Sequence, residues 1–268
     1  MLSTARGRLG RGQEREGFVV DTHSGGHART AVITGAAHGI GQEFARRLAQ
    51  DGIRIVVADI EDATETLKLV SQAGSEGIAI ACDVSSQASF VELHDAVQEF
   101  GGADIVVHNA GIYPFQPFAE ITLADWRRVQ AVNVEGLFHL TQTFLPAMRE
   151  RSWGRIVALT SGMFNTGVPG ALHYVASKGA ITGFVRGLAG EIAADNITIN
   201  AIAPGLTRSP GTIPYGEMGM FEGAKEIQAI KRTELPSDLS GGLAFLVSDE
   251  ASFMTGQTLL IDGGVGRT

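Results

Sequence analysis

From residue 30 onward, short runs of β-branched and aliphatic residues alternate with segments of helical periodicity, and this alternation limits the fold more than any other feature. "TAVIT" at 30–34, "RIVVAD" at 54–59, "GIAIACDV" at 77–84, "ADIVVHNAG" at 103–111, "GRIVALTS" at 154–161, "ITINAIAP" at 197–204 and "TLLIDGG" at 258–264 read as strands. Their apolar runs are those of strands covered on both faces. Helical segments at 41–52, 62–73, 87–100, 123–150 and 173–194 fill the gaps. In the last, Ile181, Val185, Leu188 and Ile192 step by 4, 3 and 4, forming one apolar stripe. The expected fold is α/β: a single doubly wound parallel sheet with helices on both faces. No repeat and no second core divides residues 29–268.

Composition narrows the function classes. With 44% hydrophobic and 19% charged residues, the chain has the make-up of a globular protein with a sizeable core. Residues 30–268 hold 16 basic and 26 acidic side chains, which argues against nucleic acid or an anionic membrane as the main partner. No apolar run reaches the roughly 18 residues of a membrane span. Cys82 is the one cysteine, so no intrachain disulfide forms and a reducing, cytoplasmic setting is expected. The seven His are scattered, and no metal site is expected. Residues 1–28, rich in Gly and Arg and without sustained periodicity, read as a flexible, dispensable extension.

In open parallel sheets, ligands bind at the carboxyl ends of the strands. The first strand runs into "TGAAHGIG" at 34–41, with Gly35, Gly39 and Gly41. Glycine lets the backbone turn sharply and approach a pyrophosphate, and the helix that follows offers unpaired N–H groups. Such a loop can be only a tight turn. Here it follows a strand, opens a helix and is joined by Asp59 at the end of the second strand, placed to bind ribose hydroxyls. The sheet is therefore expected to be Rossmann-like and to bind a dinucleotide.

"HYVASKGA" at 173–180 sets Tyr174 and Lys178 four residues apart in a chain with three Tyr and four Lys. Four residues is one helical turn, so both side chains share a face. A free phenol, with a pKa of about 10, is a poor proton carrier at neutral pH, and a cation one turn away favours the phenolate.

From about residue 30 the sequence resembles the classical short-chain dehydrogenase/reductase family. The resemblance rests on "TGAAHGIG", Asp83 in "CDV", "NAG" at 109–111, Asn133 in "VNVEG", Ser161, "YVASK" at 174–178, "PG" at 204–205 and "DGG" at 262–264, in family order. Within the family, "NAGIYPF" and "FMTGQTLLIDGG" are similar to NAD-dependent secondary-alcohol dehydrogenases such as phenylethanol dehydrogenase, and 204–232 is similar to pyridoxal dehydrogenase. The resemblance implies Tyr174 as general acid/base, Lys178 as the residue that lowers its pKa and holds the nicotinamide ribose, Ser161 on the substrate oxygen, and Asn133 holding a water that links Lys178 to solvent. It also implies that Ile40 nears the pyrophosphate, Asp83 and Val84 flank the adenine, and Asn109, Ala110 and Gly111 pack against the cofactor. Pro204, Gly205 and Thr207 would line the nicotinamide, with Ser209 at its carboxamide.

Three positions depart from the family pattern. His108 stands where Asn is usual, Thr207 where Val or Ile is usual, and Ser209 where Thr is common. NADP-preferring relatives commonly carry a basic residue in the glycine loop, where this chain has His38. With Asp59 followed by Ile60, Glu61 and Asp62, NAD is the expected cofactor and NADP the less favoured one.

The expected substrate pocket comprises Ile112, Tyr113, Met163, Phe164, Leu172, His173 and Leu206, under a mobile, glycine-rich loop at 207–232. Most are apolar, which suits a hydrophobic or aromatic ketone or secondary alcohol as the small-molecule partner. The alternatives are a 3-oxoacyl carrier-protein reductase and, from another class, a catalytically idle dinucleotide-binding sensor or scaffold. The long helices and the C-terminal strand, by the resemblance, imply a homotetramer.

Overall fold

The computed structural model describes residues 23–24 and 27–266. Most of the span expected as an extension, 1–22 and 25–26, lies outside the described residues; His23–Ser24 and His27–Ala28 pair as a two-residue antiparallel ladder.

Seven parallel strands form the sheet: β1 (Thr30–Thr34), β2 (Arg54–Asp59), β3 (Gly77–Ala81), β4 (Ile105–His108), β5 (Gly154–Leu159), β6 (Ile197–Pro204) and β7 (Thr258–Ile261). Their order is β3-β2-β1-β4-β5-β6-β7. β1 pairs with β2 on one side, Thr34 opposite Ala58, and with β4 on the other, Thr34 opposite His108. Strand order reverses between β1 and β4, so the sheet opens a crevice at their carboxyl ends.

Several strands stop short of the expected ends, and for one reason. Residues 82–84, 109–111, 160–161 and 262–264 leave the ladder at those carboxyl ends, and most of them line the crevice.

The main helices are α1 (Gly39–Gln50), α2 (Thr64–Gln72), α3 (Gln87–Glu99), α4 (Leu123–Gln130), α5 (Gly136–Arg151), α6 (Leu172–Ile192), α7 (Met220–Ile227) and α8 (Pro236–Val247). Successive strand residues point to opposite faces. Ile33 and Val107 therefore join one core with Phe44 and Leu48 of α1 and Leu239, Leu243 and Leu246 of α8. Val32 and Val106 join the other with Leu93 of α3, Leu140 and Phe144 of α5, and Ile181 and Val185 of α6.

Two departures from the expected elements bear on function. The helix expected over 123–150 is divided by a π-helical segment at Ala131–Glu135, which holds Asn133. The segment expected as a loop at 207–232 folds into short turns at Pro210–Thr212 and Ile213–Glu217, followed by α7.

Candidate active site

The crevice is a cavity of about 740 Å³ that runs from the glycine loop, past β4 and β5, to the segment after β6. That volume suits an extended ligand held at several points.

At one end the glycine loop is built by close approach. Gly35 has φ +64°, and a Cβ there would lie 2.7 Å from Ala110 Cα. A Cβ on Gly41 would lie 2.3 Å from the Gly35 carbonyl oxygen, so Gly41 packs beneath the loop and does not line the cavity. His38 precedes α1 without a side-chain cap, so the first turn's N–H groups are not taken by its imidazole. Asp59 stabilises the turn from β2: its carboxylate accepts from Ala37 N at 2.8 Å and Glu61 N at 3.0 Å. A carboxylate offers about four lone-pair positions, which leaves acceptors for ribose hydroxyls. Asp83, Val84, Asn109, Ala110 and Gly111 line the cavity with Ile40.

The proton-carrying groups sit past β5. Ser161 follows that strand and lines the cavity with Tyr174, and its hydroxyl accepts from Met163 N at 3.2 Å. Lys178 is buried, donates from Nζ to the Leu159 carbonyl at 2.7 Å, and lies 5.5 Å from the centre of the Tyr174 ring. Desolvation brings Lys178 down to about 7. Tyr174 is pushed up to about 12, chiefly by burial, although the Ser161 hydroxyl opposes the rise. The expected lowering of the phenol by Lys178 is therefore not the dominant effect in this structure.

Asn133 is fully buried and does not line the cavity. Its Oδ1 accepts from Ile112 N at 2.8 Å, and its Nδ2 donates to the Ile112 carbonyl and the Ser177 hydroxyl, each at 2.9 Å. It thus fixes the segment that follows Gly111, where a Cβ would stand 3.3 Å from Asn133 Oδ1 and 3.6 Å from Lys178 Nζ. Lys178 and Asn133 approach one another around this glycine.

Of the expected substrate residues, Ile112, Tyr113, Met163 and Leu206 line the cavity; Phe164, Leu172 and His173 do not. Phe164 turns back over Gly179, Leu172 faces outward, and His173 is fully buried with neither ring nitrogen partnered. Helical geometry explains His173, which precedes Tyr174 on α6 and so points about 100° away from it. Two aromatics complete the wall. Tyr113 stands 6.1 Å from Tyr174 and 6.0 Å from Tyr215, and Phe115 stands 5.2 Å from Tyr215, centre to centre. Phe115 was within reach of sequence reasoning, two residues past Tyr113. Tyr215 was not singled out, because its position depends on how the segment after β6 folds.

The family model described as enoyl-(acyl carrier protein) reductase matches residues 35–266. The chain belongs to the short-chain dehydrogenase/reductase family. L-2,3-butanediol dehydrogenase of Corynebacterium glutamicum is 33% identical over 257 residues, covering 89% of this chain and 98% of the relative. Among solved structures, a 3-oxoacyl-[acyl-carrier protein] reductase from Brucella melitensis with bound NAD is 31% identical, with TM-score 0.81 over 93% of this chain and 94% of the other. A 3-oxoacyl (acyl-carrier-protein) reductase from Agrobacterium tumefaciens C58 with NADP bound is 27% identical, with TM-score 0.83 over 88% and 93%. This short-chain dehydrogenase/reductase is an oxidoreductase acting on CH–OH groups, and a nicotinamide dinucleotide is its cofactor. The glycine cradle and the Asp59 carboxylate fit that group. No helix among the described residues is long and apolar enough to cross a membrane.

Proposed function

We propose that the chain interconverts a hydrophobic or aromatic ketone and the corresponding secondary alcohol, with NAD as its cofactor. The observation that carries this reading is the Tyr174 phenol, set beside Lys178 at the aromatic-walled end of the cleft that Ser161 also lines. When bound, the dinucleotide supplies the hydride or its acceptor. Tyr174, held neutral by burial, donates its proton to the oxygen of a ketone undergoing reduction and takes it back in oxidation. Ser161 accepts from Met163 N and can still donate its own hydrogen to that oxygen. Lys178, titrating at about 7, stabilises the phenolate whenever it is charged. Tyr113, Phe115 and Tyr215 favour an apolar substituent on the substrate.

Asp59 supports NAD over NADP. A ribose phosphate there would face a carboxylate; at an effective dielectric of about 20, unit charges roughly 4 Å apart repel by about 4 kcal/mol before screening. His38 adds no free cation, because its Nδ1 lies 3.7 Å from Glu61 Oε2.

Relatives named as 3-oxoacyl reductases support a second reading, reduction of a 3-oxoacyl thioester. The acidic body weighs against docking of an acidic carrier protein. An idle sensor or scaffold is the least favoured reading, because Ser161, Tyr174 and Lys178 are all present. A homotetramer in the cytoplasm, acting on small molecules and not on nucleic acid, completes the proposal; light scattering reporting a monomer would remove the tetramer. The test of the function is a panel of aryl and alkyl ketones, secondary alcohols and 3-oxoacyl thioesters, assayed with NAD(H) and NADP(H). Turnover of aryl or alkyl substrates with NAD(H) supports the reading, and turnover of thioesters alone replaces it with the second.

A further inference from the structure

Outside the cleft lining, one buried acid gives both carboxylate oxygens to the loop that borders the cleft. Glu234, 4% exposed, lies just before α8. Its Oε1 accepts from the Thr207 hydroxyl at 2.6 Å, and its Oε2 accepts from Gly205 N at 3.2 Å. Its main-chain carbonyl accepts from Arg208 N at 2.8 Å, and Thr207 and Glu234 form an isolated parallel bridge. The fit is tight: a Cβ on Gly205 would stand 2.8 Å from Glu234 Oε2 and 3.1 Å from Asp262 Cα. Gly205 and Thr207 line the cleft, whereas Glu234 does not.

We propose that Glu234 is a positioning residue, which holds Gly205–Arg208 in the shape that receives the nicotinamide end of the dinucleotide. The proposal rests on the functional reading above for which end of the dinucleotide lies there. It accounts for Thr207, whose hydroxyl is the group a Val or Ile would lack.

Two donors converge on the carboxylate, so the ionised form makes the full clamp; a proton on either oxygen removes one acceptor. Three charged groups face it. Asp262 is itself held by the N–H groups of Gly264, Val265 and Gly266, and Asp238 is held by both terminal nitrogens of Arg232. Burial, aided by the charges of Asp238 and Asp262 and opposed by the Thr207 and Gly205 hydrogen bonds, lifts Glu234 to about 7. The clamp is therefore full above this midpoint and slackens below it.

The test is calorimetric titration of the full chain with NAD, as a function of pH, on the native protein, Glu234→Gln and Thr207→Val. The amide of Gln keeps the size but presents an acceptor to only one of the two donors. Each variant should bind NAD about tenfold more weakly above the midpoint, the effect of losing one hydrogen bond to a charged group. Native affinity should weaken as pH falls through about 7, and Glu234→Gln should lack that acid limb. A general loss of packing would weaken binding without removing the limb. Native affinity in both variants, or an acid limb that persists in Glu234→Gln, overturns the clamp. Should Glu234→Gln not fold, native affinity in Thr207→Val overturns it alone. A native chain that binds neither NAD nor NADP overturns the functional reading and the clamp together.

Discussion

The imidazole of His108 donates from Nε2 to the main-chain carbonyl of Asn133, 3.0 Å away. The bond ties the end of β4 to the π-helical segment, and it fixes the tautomer: Nδ1 is left as an acceptor, facing the Thr34 hydroxyl at 3.4 Å. That hydroxyl in turn accepts from Asn109 N and Ala110 N, each at 3.2 Å. One buried ring thus sets both the backbone that lines the cleft and the carbonyl of the residue that orders Ile112.

Replacing His108 by Leu should strand the Asn133 carbonyl, cost about 1–3 kcal/mol of stability and lower turnover, while His108→Asn should retain most of both. Thermal melts with parallel assays test this. Equal stability of Leu and native chains would show that the bond contributes nothing.

Burial and the Lys178 charge depress His108 to about 3, so the folded state binds fewer protons than the unfolded state between that value and the ordinary 6.5. Its contribution is present above 6.5 and is lost as pH falls toward 3. The melting temperature of His108→Asn should accordingly fall less steeply than the native value across that window. Parallel curves would contradict the assignment of a neutral, buried ring.

Lys178 follows the same sign at higher pH. Its pKa falls from 10.5 to about 7, so the folded state binds fewer protons than the unfolded state across that window. Burying the cation costs stability below 7, and the cost fades as pH rises through the window. Lys178→Met should therefore gain on the order of 1–3 kcal/mol at neutral pH while losing most activity, with the gain shrinking in alkali. A variant less stable than the native chain at neutral pH would contradict this.

The sheet, its order of helices and the groups that meet in the cleft were legible because each leaves a local mark. Parallel strands are apolar throughout, glycines stand where backbone approaches within a few ångströms, and Tyr174 and Lys178 share a helical turn. α8 was legible in principle: Pro236 at its first position, Asp238 two residues on, and Leu239, Leu243 and Leu246 at helical spacing. What left no local mark was set by long-range packing. The π-helical segment follows from how Asn133 and His108 satisfy partners on other elements, and the placement of Tyr215 and Glu234 depends on how the segment after β6 folds back. His173 was misplaced because a neighbour of Tyr174 points elsewhere once the helix winds, and Phe164 because it packs back over Gly179.

The proposed preference for NAD rests on Asp59, Glu61 and His38. Asp59→Ser with His38→Arg should move kcat/KM toward NADP, but an Arg at 38 would meet Glu61, which already lies beside the imidazole. Adding Glu61→Gln should therefore extend the shift, by roughly tenfold or more in total. If Asp59→Ser leaves the ratio of the two cofactors unchanged, Asp59 does not meet the ribose.

The most direct test compares native protein with Tyr174→Phe, following nicotinamide absorbance during oxidation of aryl and alkyl secondary alcohols with NAD. The native protein should turn over at least one alcohol of the panel, and the Phe variant should bind NAD as well but turn over about 10² to 10⁴-fold more slowly. Absence of turnover across the panel in the native protein, or equal rates in the two proteins, would contradict the account.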